Sequence, residues 1–278
     1  DASLVIKKKN NIFAVLPATI IEKEGKKILS SHQGASYGSF AYVPELNLQE
    51  SFELIEILQK YAKEQKCNRT QLPWPPVIYK TKLNNYIDFA LIKNGFTYLK
   101  RELSSVVQLG VPKEKLLFTY RAEARTALKK AQKMGVEIAE CERFEEYYDI
   151  LKKNLRMRHN VNPTHTLDEL LFLKELFPTK IRLWGAFLDS KLIAGVCNFT
   201  ANSKVVLAFY ISHNDEYQEY RPVNLLFYEI MKRYSEEGFK YLDFGIFTVD
   251  MDPNWGLARF KENFGSRGIF RDYFYKDI

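Results

Sequence analysis

Arg121, Arg125, Lys129 and Lys133 fall four residues apart, so on a helix they form one cationic ridge. Such a ridge either contacts phosphate or is a solvated face, and both readings stand. A fifth cation, Lys261, lies in the run Phe260-Lys261-Glu262-Asn263-Phe264-Gly265. On a helix Phe260 and Phe264 stand one turn apart on the core side, and Lys261 turns to a different face. The alternative is a surface lysine on a short amphipathic helix. Asp243 ends an apolar run ahead of Gly245, with Asp250 and Asp252 following, and open α/β sheets place ligand groups at such strand ends. Any of these carboxylates suits orienting or deprotonating a nucleophile, while an Asp before Phe-Gly serves equally to cap the next turn. This Asp-Phe-Gly is no kinase signature, because neither a glycine-rich loop nor His-Arg-Asp accompanies it. Arg156, Arg158, His159 and His165 cluster between two helical stripes. A basic, histidine-containing loop there suits an acidic or phosphorylated ligand, against plain exposed loop residues as the alternative.

The elements that must position these groups follow from periodicity. In the second half, Tyr120 to Met134 carries a helical stripe stopped by Gly135, and Val136 to Cys141 reads as a strand. Phe144 to Leu155 is helical, and Thr166-Leu-Asp-Glu169 is a capping box opening a helix to Phe177. Three strands follow, Ile181 to Leu188, Leu192 to Thr200 and Lys204 to Ile211. Pro222 opens a helix to Glu237, Tyr241 to Ile246 is a buried strand, Gly256 to Asn263 a short helix, and Phe270 to Tyr275 a last strand.

The first half repeats part of this order. Extended segments at Ile12 to Glu22, Lys27 to Ser31 and Tyr37 to Val43 precede a helix near Gln49 to Gln65. A strand around Thr70 to Leu72, a helix near Leu83 to Lys93 and a strand Phe96 to Gln108 complete it. Pro112 resists continuing that strand, so the expected domains are 1–111 and 112–278.

Composition narrows the class. The chain has 278 residues, 46% of them hydrophobic, enough for two cores. No apolar run reaches the roughly 18 residues of a membrane span, and no leader-like segment opens the chain. The expectation is a soluble, cytoplasmic protein without membrane insertion. The net charge of +7 favours polyanionic partners. Cys67, Cys141 and Cys197 lack metal-ligand spacing and read as buried thiols, with no metal expected.

The runs Gly238-Phe-Lys-Tyr-Leu-Asp243-Phe-Gly245 and Asp252-Pro-Asn-Trp-Gly256-Leu-Ala-Arg-Phe260-Lys261-Glu-Asn-Phe264-Gly265 resemble the FemAB-like acyltransferases, the peptidoglycan aminoacyl-ligases and their relatives on the GNAT fold. Ser30-Ser-His-Gln-Gly-Ala-Ser-Tyr37-Gly38-Ser39 resembles their Ser…Tyr-Gly-Gly segment, with Ser39 in place of the second glycine. Trp74, amid Pro73, Pro75 and Pro76, reads as a stiff exposed element that walls a cleft or simply packs.

The resemblance implies an α/β (α+β) tandem GNAT-like fold, two mixed sheets flanked by helices, the first copy incomplete. It implies acyl or aminoacyl transfer from an activated donor to an amine, by direct attack without a covalent enzyme intermediate. Lys261 then neutralises charge developing at the acyl carbonyl or a phosphate, with Asp243 beside it. Arg121, Arg125 and Lys129 contact phosphate, Arg158 and His159 shape the acceptor side, and Tyr37 lines the substrate groove. The helix at Pro222 is where GNAT enzymes hold the coenzyme A pyrophosphate on glycine-rich turns. Here Asp215-Glu-Tyr-Gln-Glu219-Tyr-Arg221 has no glycine, which leaves Arg221 as the phosphate group and shifts weight from acyl-coenzyme A toward aminoacyl-tRNA. No permanently bound cofactor is implied. The implied partners are a small-molecule or cell-wall-precursor amine and possibly tRNA, with no DNA. A non-catalytic GNAT-derived module holding an anionic ligand is the alternative.

Overall fold

The structure, a computed structural model, describes the backbone of residues 1–278 and the side chains of all but Lys113, Glu114, Arg158 and His159. The chain begins with β1 (Leu4–Lys8), β2 (Asn11–Leu16), β3 (Ala18–Lys23), β4 (Lys26–Ser31), β5 (Ala41–Tyr42), α1 (Leu48–Glu64), β6 (Arg69–Pro73), α2 (Tyr86–Lys93) and β7 (Thr97–Gln108). It continues with α3 (Lys113–Thr119), α4 (Ala122–Lys133), β8 (Glu137–Cys141), α5 (Phe144–His159), α6 (Leu167–Leu176), β9 (Ile181–Leu188), β10 (Lys191–Thr200) and β11 (Val205–His213). The remaining elements are α7 (Pro222–Glu236), β12 (Tyr241–Ile246), β13 (Thr248–Val249), β14 (Asp252–Pro253), α8 (Trp255–Glu262) and β15 (Arg267–Asp277).

The helices start where their caps dictate. Asn47 and Thr166 each accept from the backbone N–H three residues on, while Glu50 and Glu169 bond back, so α1 and α6 both open on capping boxes. Three expectations change. Ile12 to Glu22 is two strands, because Pro17 between them has no N–H to continue a ladder. Lys113–Thr119 is a helix entered through Pro112, a residue suited to the position just before a first turn. The stripe beginning at Phe144 runs on to His159, so Arg156 lies within α5 and not in a loop; the side chains of Arg158 and His159 lie outside the described residues.

Two compact units result. Unit 1 comprises Asp1–Leu103, Thr248–Asp252 and Ile269–Ile278, and unit 2 comprises Ser104–Phe247 and Pro253–Gly268. In unit 1, β3 and β4 form an antiparallel hairpin, β6 joins β4 in parallel after the α1 crossover, and β15 pairs antiparallel with β6. In unit 2, β10 and β11 are antiparallel, β12 joins β11 in parallel after the α7 crossover, and the end of β7 pairs antiparallel with β12. The same sequence of hairpin, helix and parallel strand occurs twice, which is the tandem GNAT arrangement. The last strand, read in the sequence as the close of the second half, thus supplies the sheet of unit 1.

Unit 1 packs α1 and α2 on its sheet around Leu54, Ile55, Leu58, Leu91, Leu72 and Phe274. In unit 2, α4 and α7 cover one face through Leu128, Leu226, Phe227, Ile230 and Met231, and α5 and α6 cover the other through Phe144, Tyr147, Leu151 and Leu170. Gly195 on β10 permits the approach of α5, since a Cβ there would stand 2.5 Å from the Tyr147 ring. Among the described residues no helix is long and apolar enough to cross a membrane.

Candidate active site

The sheet of unit 2 opens at one point, and several of the residues singled out by the sequence meet there. β11 and β12 pair at Val205–Tyr241, Val206–Leu242 and Leu207–Asp243. The ladder then stops, although β11 continues to His213 and β12 to Ile246. On its other side β12 shifts register against β7 between Asp243 and Ile246. The local cause is the Asp-Phe-Gly turn. Gly245 adopts φ +74°, a conformation glycine takes without a Cβ penalty, and its N–H donates to Asp243 Oδ1 at 2.7 Å. Ser104 Oγ donates to the same oxygen at 2.7 Å. Asp243 is fully buried, so of the two roles open to it the one displayed is that of turn cap.

A bulge frees main-chain acceptors that must be satisfied. Lys261 does this. Its Nζ donates to Gly245 O at 3.0 Å and to Ile246 O at 2.7 Å. The side chain is 3% exposed, so the surface-lysine alternative does not hold. Its helix is fixed by three features. Asn254 caps α8 by accepting from the Leu257 N–H at 2.9 Å. Phe264 is fully buried against Tyr120, Phe227 and Phe244, with ring centroids 5.4, 5.1 and 5.7 Å away. Gly265, at φ +80°, lets the chain pass Thr119 where a Cβ would meet the Thr119 carbonyl at 2.7 Å. The motif Phe-Lys-x-x-Phe-Gly is therefore an anchor, a buried cation and a close-approach glycine in one turn and a half.

The cationic ridge is partly consumed in holding α8. Arg121 pairs with Glu262 at 2.5 Å, and Arg259 reaches back to Glu123 at 2.9 Å. Arg125 is half-buried and donates to Tyr120 O at 2.9 Å, whereas Lys129 and Lys133 are exposed. The ridge thus divides into Arg121, which holds α8, a half-buried Arg125, and two solvated lysines.

At the start of α7, Arg221 is exposed and stands at φ +54° just ahead of Pro222. The approach is a single 3-10 segment, Asp215–Tyr220, whose Asp215 pairs with His213 and whose Glu216 pairs with Lys153. His165 accepts or donates at Nδ1 with Tyr210 OH at 2.9 Å and packs among Phe199 and Phe209, so it belongs to an aromatic cluster.

In unit 1 the segment around Tyr37 is tightly built. Gly38 donates to Pro73 O at 2.6 Å, and Ser39 N donates to Ser31 Oγ at 2.8 Å. A Cβ on Gly38 would stand 2.7 Å from Ser31 Oγ. Tyr37 then lies 4.5 Å from Tyr79, ring to ring. His32 opens the segment at φ +48°, and burial lowers its pKa. Trp74 is 4% exposed and donates to Asp88 at 3.1 Å, so it packs and is not an exposed element. It also lines a cavity of about 210 Å³ with Phe40, Tyr42, Tyr79 and Lys80.

Sequence reading passed over Glu102, a buried carboxylate in unit 1 that accepts from Thr248 Oγ1 at 2.5 Å and pairs with Lys100 at 3.2 Å. Burial pushes its pKa up, but the Thr248 hydroxyl and Lys100 outweigh that and hold it below the usual carboxylate value. Lys100 also holds Asp250 at 2.6 Å and lowers its pKa. Alternating residues around Glu102 gave no signal, because its partners Thr248 and Met251 are about 150 positions away in the chain.

The sequence profile of the acetyltransferase (GNAT) domain family matches residues 119–262, just over half of the chain. The chain belongs to this family. As a GNAT protein it is an N-acyltransferase, and the matched span includes the bulge, the splayed strands and Lys261. A search of curated proteins found no significant match. Among solved structures the chain is similar to FemX at 14% identity and TM-score 0.75, covering 99% of this chain and 87% of that one. It is also similar to L-PGS from Bacillus licheniformis, at 11% identity and TM-score 0.60, covering 96% and 82%. A tandem GNAT protein from the clavulanic acid biosynthesis pathway matches at 10% identity and TM-score 0.53, covering 99% and 83%. At these identities the likeness is one of fold.

Proposed function

We propose that this GNAT protein transfers an acyl or aminoacyl group from an activated donor to an amine by direct attack, with the donor carbonyl at the splay of β11 and β12. The observation that carries the reading is the parallel ladder stopping at Leu207–Asp243 with the Lys261 ammonium fixed at Gly245 and Ile246. Splayed strands leave main-chain groups open to an extended substrate, as an added strand would use them. A fixed cation at that point favours the negative charge that develops on the carbonyl oxygen when nitrogen attacks carbon, and it costs no reorganisation during the step. The carbon–nitrogen bond forms, the bond from carbon to the donor oxygen or sulfur breaks, and the amine proton leaves with the departing group or to solvent.

Two features support direct attack. Cys197 is fully buried, and burial pushes its thiol up to about 12, so it is no thiolate at neutral pH. Cys67 is buried as well, and burial raises its pKa.

For the donor, the glycine-free approach to α7 and the net charge of +7 favour an aminoacyl ester of tRNA over coenzyme A. Asp243 and Arg121 act as positioning residues for the turn and for α8; Arg125, Lys129 and Arg221 supply positive charge to the donor. Arg158 and His159 remain assigned to the acceptor side, and Tyr37 to the substrate groove. The proposed domains are an incomplete GNAT copy over 1–111 and a second over 112–278, except that the closing strand β15 lies in the sheet of the first, and the proposed location is the cytoplasm. The test is an assay of charged tRNA and acetyl-coenzyme A against a panel of amines, read by product mass. An amide formed from charged tRNA alone supports the full reading, whereas product from acetyl-coenzyme A alone keeps acyl transfer and overturns the donor. Tight binding of either donor with no product in any combination favours a ligand-holding module.

A further inference from the structure

The outer side of α2 is apolar. Tyr86, Phe89 and Ile92 recur at three-residue spacing and are all exposed, Phe89 to 56%, and Leu83, just ahead of the helix, is 81% exposed. Ile87, Ala90 and Leu91 on the inner side are buried in the core of unit 1, so α2 is apolar on both sides. A surface helix of a soluble domain ordinarily carries charge on its outer face. Phe52 of α1 extends the patch, half-buried with its ring centroid 6.1 Å from that of Phe89.

The charges around this patch are arranged by sign. Asp88, the one acid of α2, is turned to internal partners, accepting from Lys80 Nζ at 2.6 Å and from Trp74 Nε1 at 3.1 Å. The exposed charges of the helix and its entry are Lys82, beside Leu83, and Lys93, beside Ile92. Lys82 meets Glu45 at 3.5 Å with both side chains open to solvent, a weak pair. Glu53 and Glu56 of α1, one residue and one turn from Phe52, are exposed and bound the patch on that side. Rings and aliphatic groups flanked by lysines fit a bilayer interface, where the apolar groups enter the acyl boundary and the ammonium groups stay among anionic headgroups. A second copy of this chain fits less well. Four side chains at these exposures present on the order of 400 Å², about half of what a stable interface takes from each partner, and self-association would bring the lysines together.

We propose that α2 and its Leu83 entry dock unit 1 onto an anionic lipid surface, lying in the interface without crossing it. Leu83, Tyr86, Phe89 and Ile92 supply the inserted groups, and Lys82 and Lys93 select anionic headgroups. The docking does not depend on the acyl-transfer reading above, since it uses none of the residues assigned to that chemistry.

The test is co-sedimentation of the intact protein with vesicles of phosphatidylglycerol and phosphatidylcholine in equal parts, and with vesicles of phosphatidylcholine alone. The protein should pellet with the mixed vesicles, and less with phosphatidylcholine or at high salt. The double variant Leu83→Ser, Phe89→Ser should bind the mixed vesicles about 10-fold or more weakly at an unchanged Tm, because both side chains are exposed in the free protein. The double variant Lys82→Gln, Lys93→Gln should lose a similar factor on the mixed vesicles and nothing on phosphatidylcholine. In Phe89→Trp, lipids brominated on their acyl chains should quench emission beyond the quenching seen in wild type. No pelleting with either vesicle, pelleting that the serine variant retains in full, or no added quenching in Phe89→Trp overturns the proposal. A dimer in sedimentation velocity that the serine variant dissociates assigns the patch to a second copy and overturns it too. If the serine variant does not fold, quenching in Phe89→Trp alone decides. Turnover plays no part in these readouts, so failure of docking and failure of acyl transfer are separate results.

Discussion

Replacing Lys261 with alanine should damage stability and activity together. The structure gives the reason: Lys261 is 3% exposed and its ammonium bonds the carbonyls of Gly245 and Ile246. Truncation leaves two acceptors of the bulge unmet, at about 1–3 kcal/mol each. A loss of about 2–6 kcal/mol follows, which for a chain of this size lowers Tm by roughly 4–12 °C. Spacing turns Lys261 away from the Phe260 and Phe264 face, where truncation would leave a core untouched, and its burial reverses that expectation. Activity should fall by about 100-fold or more, the scale of removing one oxyanion-stabilising group. Lys261→Arg should restore little, because a planar fork does not replace a compact ammonium between two carbonyls. The assay is thermal unfolding of each variant, then kcat/KM at a temperature where all are folded. An alanine variant within about 1 °C of wild type would refute the capping role, and a normal kcat/KM in folded protein would refute the catalytic one.

Other outcomes follow from the same geometry. Gly265→Ala should lose at least about 2 kcal/mol, since φ is +80° and the new Cβ meets the Thr119 carbonyl at 2.7 Å; urea unfolding measures it. Arg121→Ala should change stability by less than about 1 kcal/mol, because its pair with Glu262 is half-exposed. Glu102 has a depressed pKa in the folded protein, so its contribution is present above the unfolded value near 4.5 and is lost as pH falls through the folded value. The Tm difference between wild type and Glu102→Gln should therefore shrink below about pH 4.5, and a difference independent of pH would contradict the assignment. Cys197, with its thiol pushed up to about 12 and fully buried, should resist a thiol reagent at pH 8 until the protein unfolds.

Most elements were legible because periodicity and caps are local. Ile181 to Leu188 and Tyr241 to Ile246 fold with those bounds, and the Thr166 capping box forms as read. What local pattern does not carry is the partner of each strand. Phe270 to Tyr275 reads as a strand from its own residues, but its pairing with β6 depends on contacts some 200 residues away. The same limit applies to charges. Spacing places Arg121 and Arg125 on one helix face, yet whether each meets solvent, Glu262 or the Tyr120 carbonyl is decided by what folds against α4. Asp243 and Lys261 were visible as residues, but their meeting at one bulge depends on α8 returning to the end of β12.

The central claim is acyl transfer to an amine without an enzyme-bound intermediate. It is tested most directly with donor labelled in the acyl group, presented as charged tRNA and as acetyl-coenzyme A together with the amine panel, followed by denaturation and mass measurement of protein and small molecules. The account predicts label in an amide product that survives hydroxylamine, unmodified protein at every time point, and loss of the product in Lys261→Ala assayed while folded. Label on the protein that chases into product, or no labelled amide with any donor and amine, would contradict it.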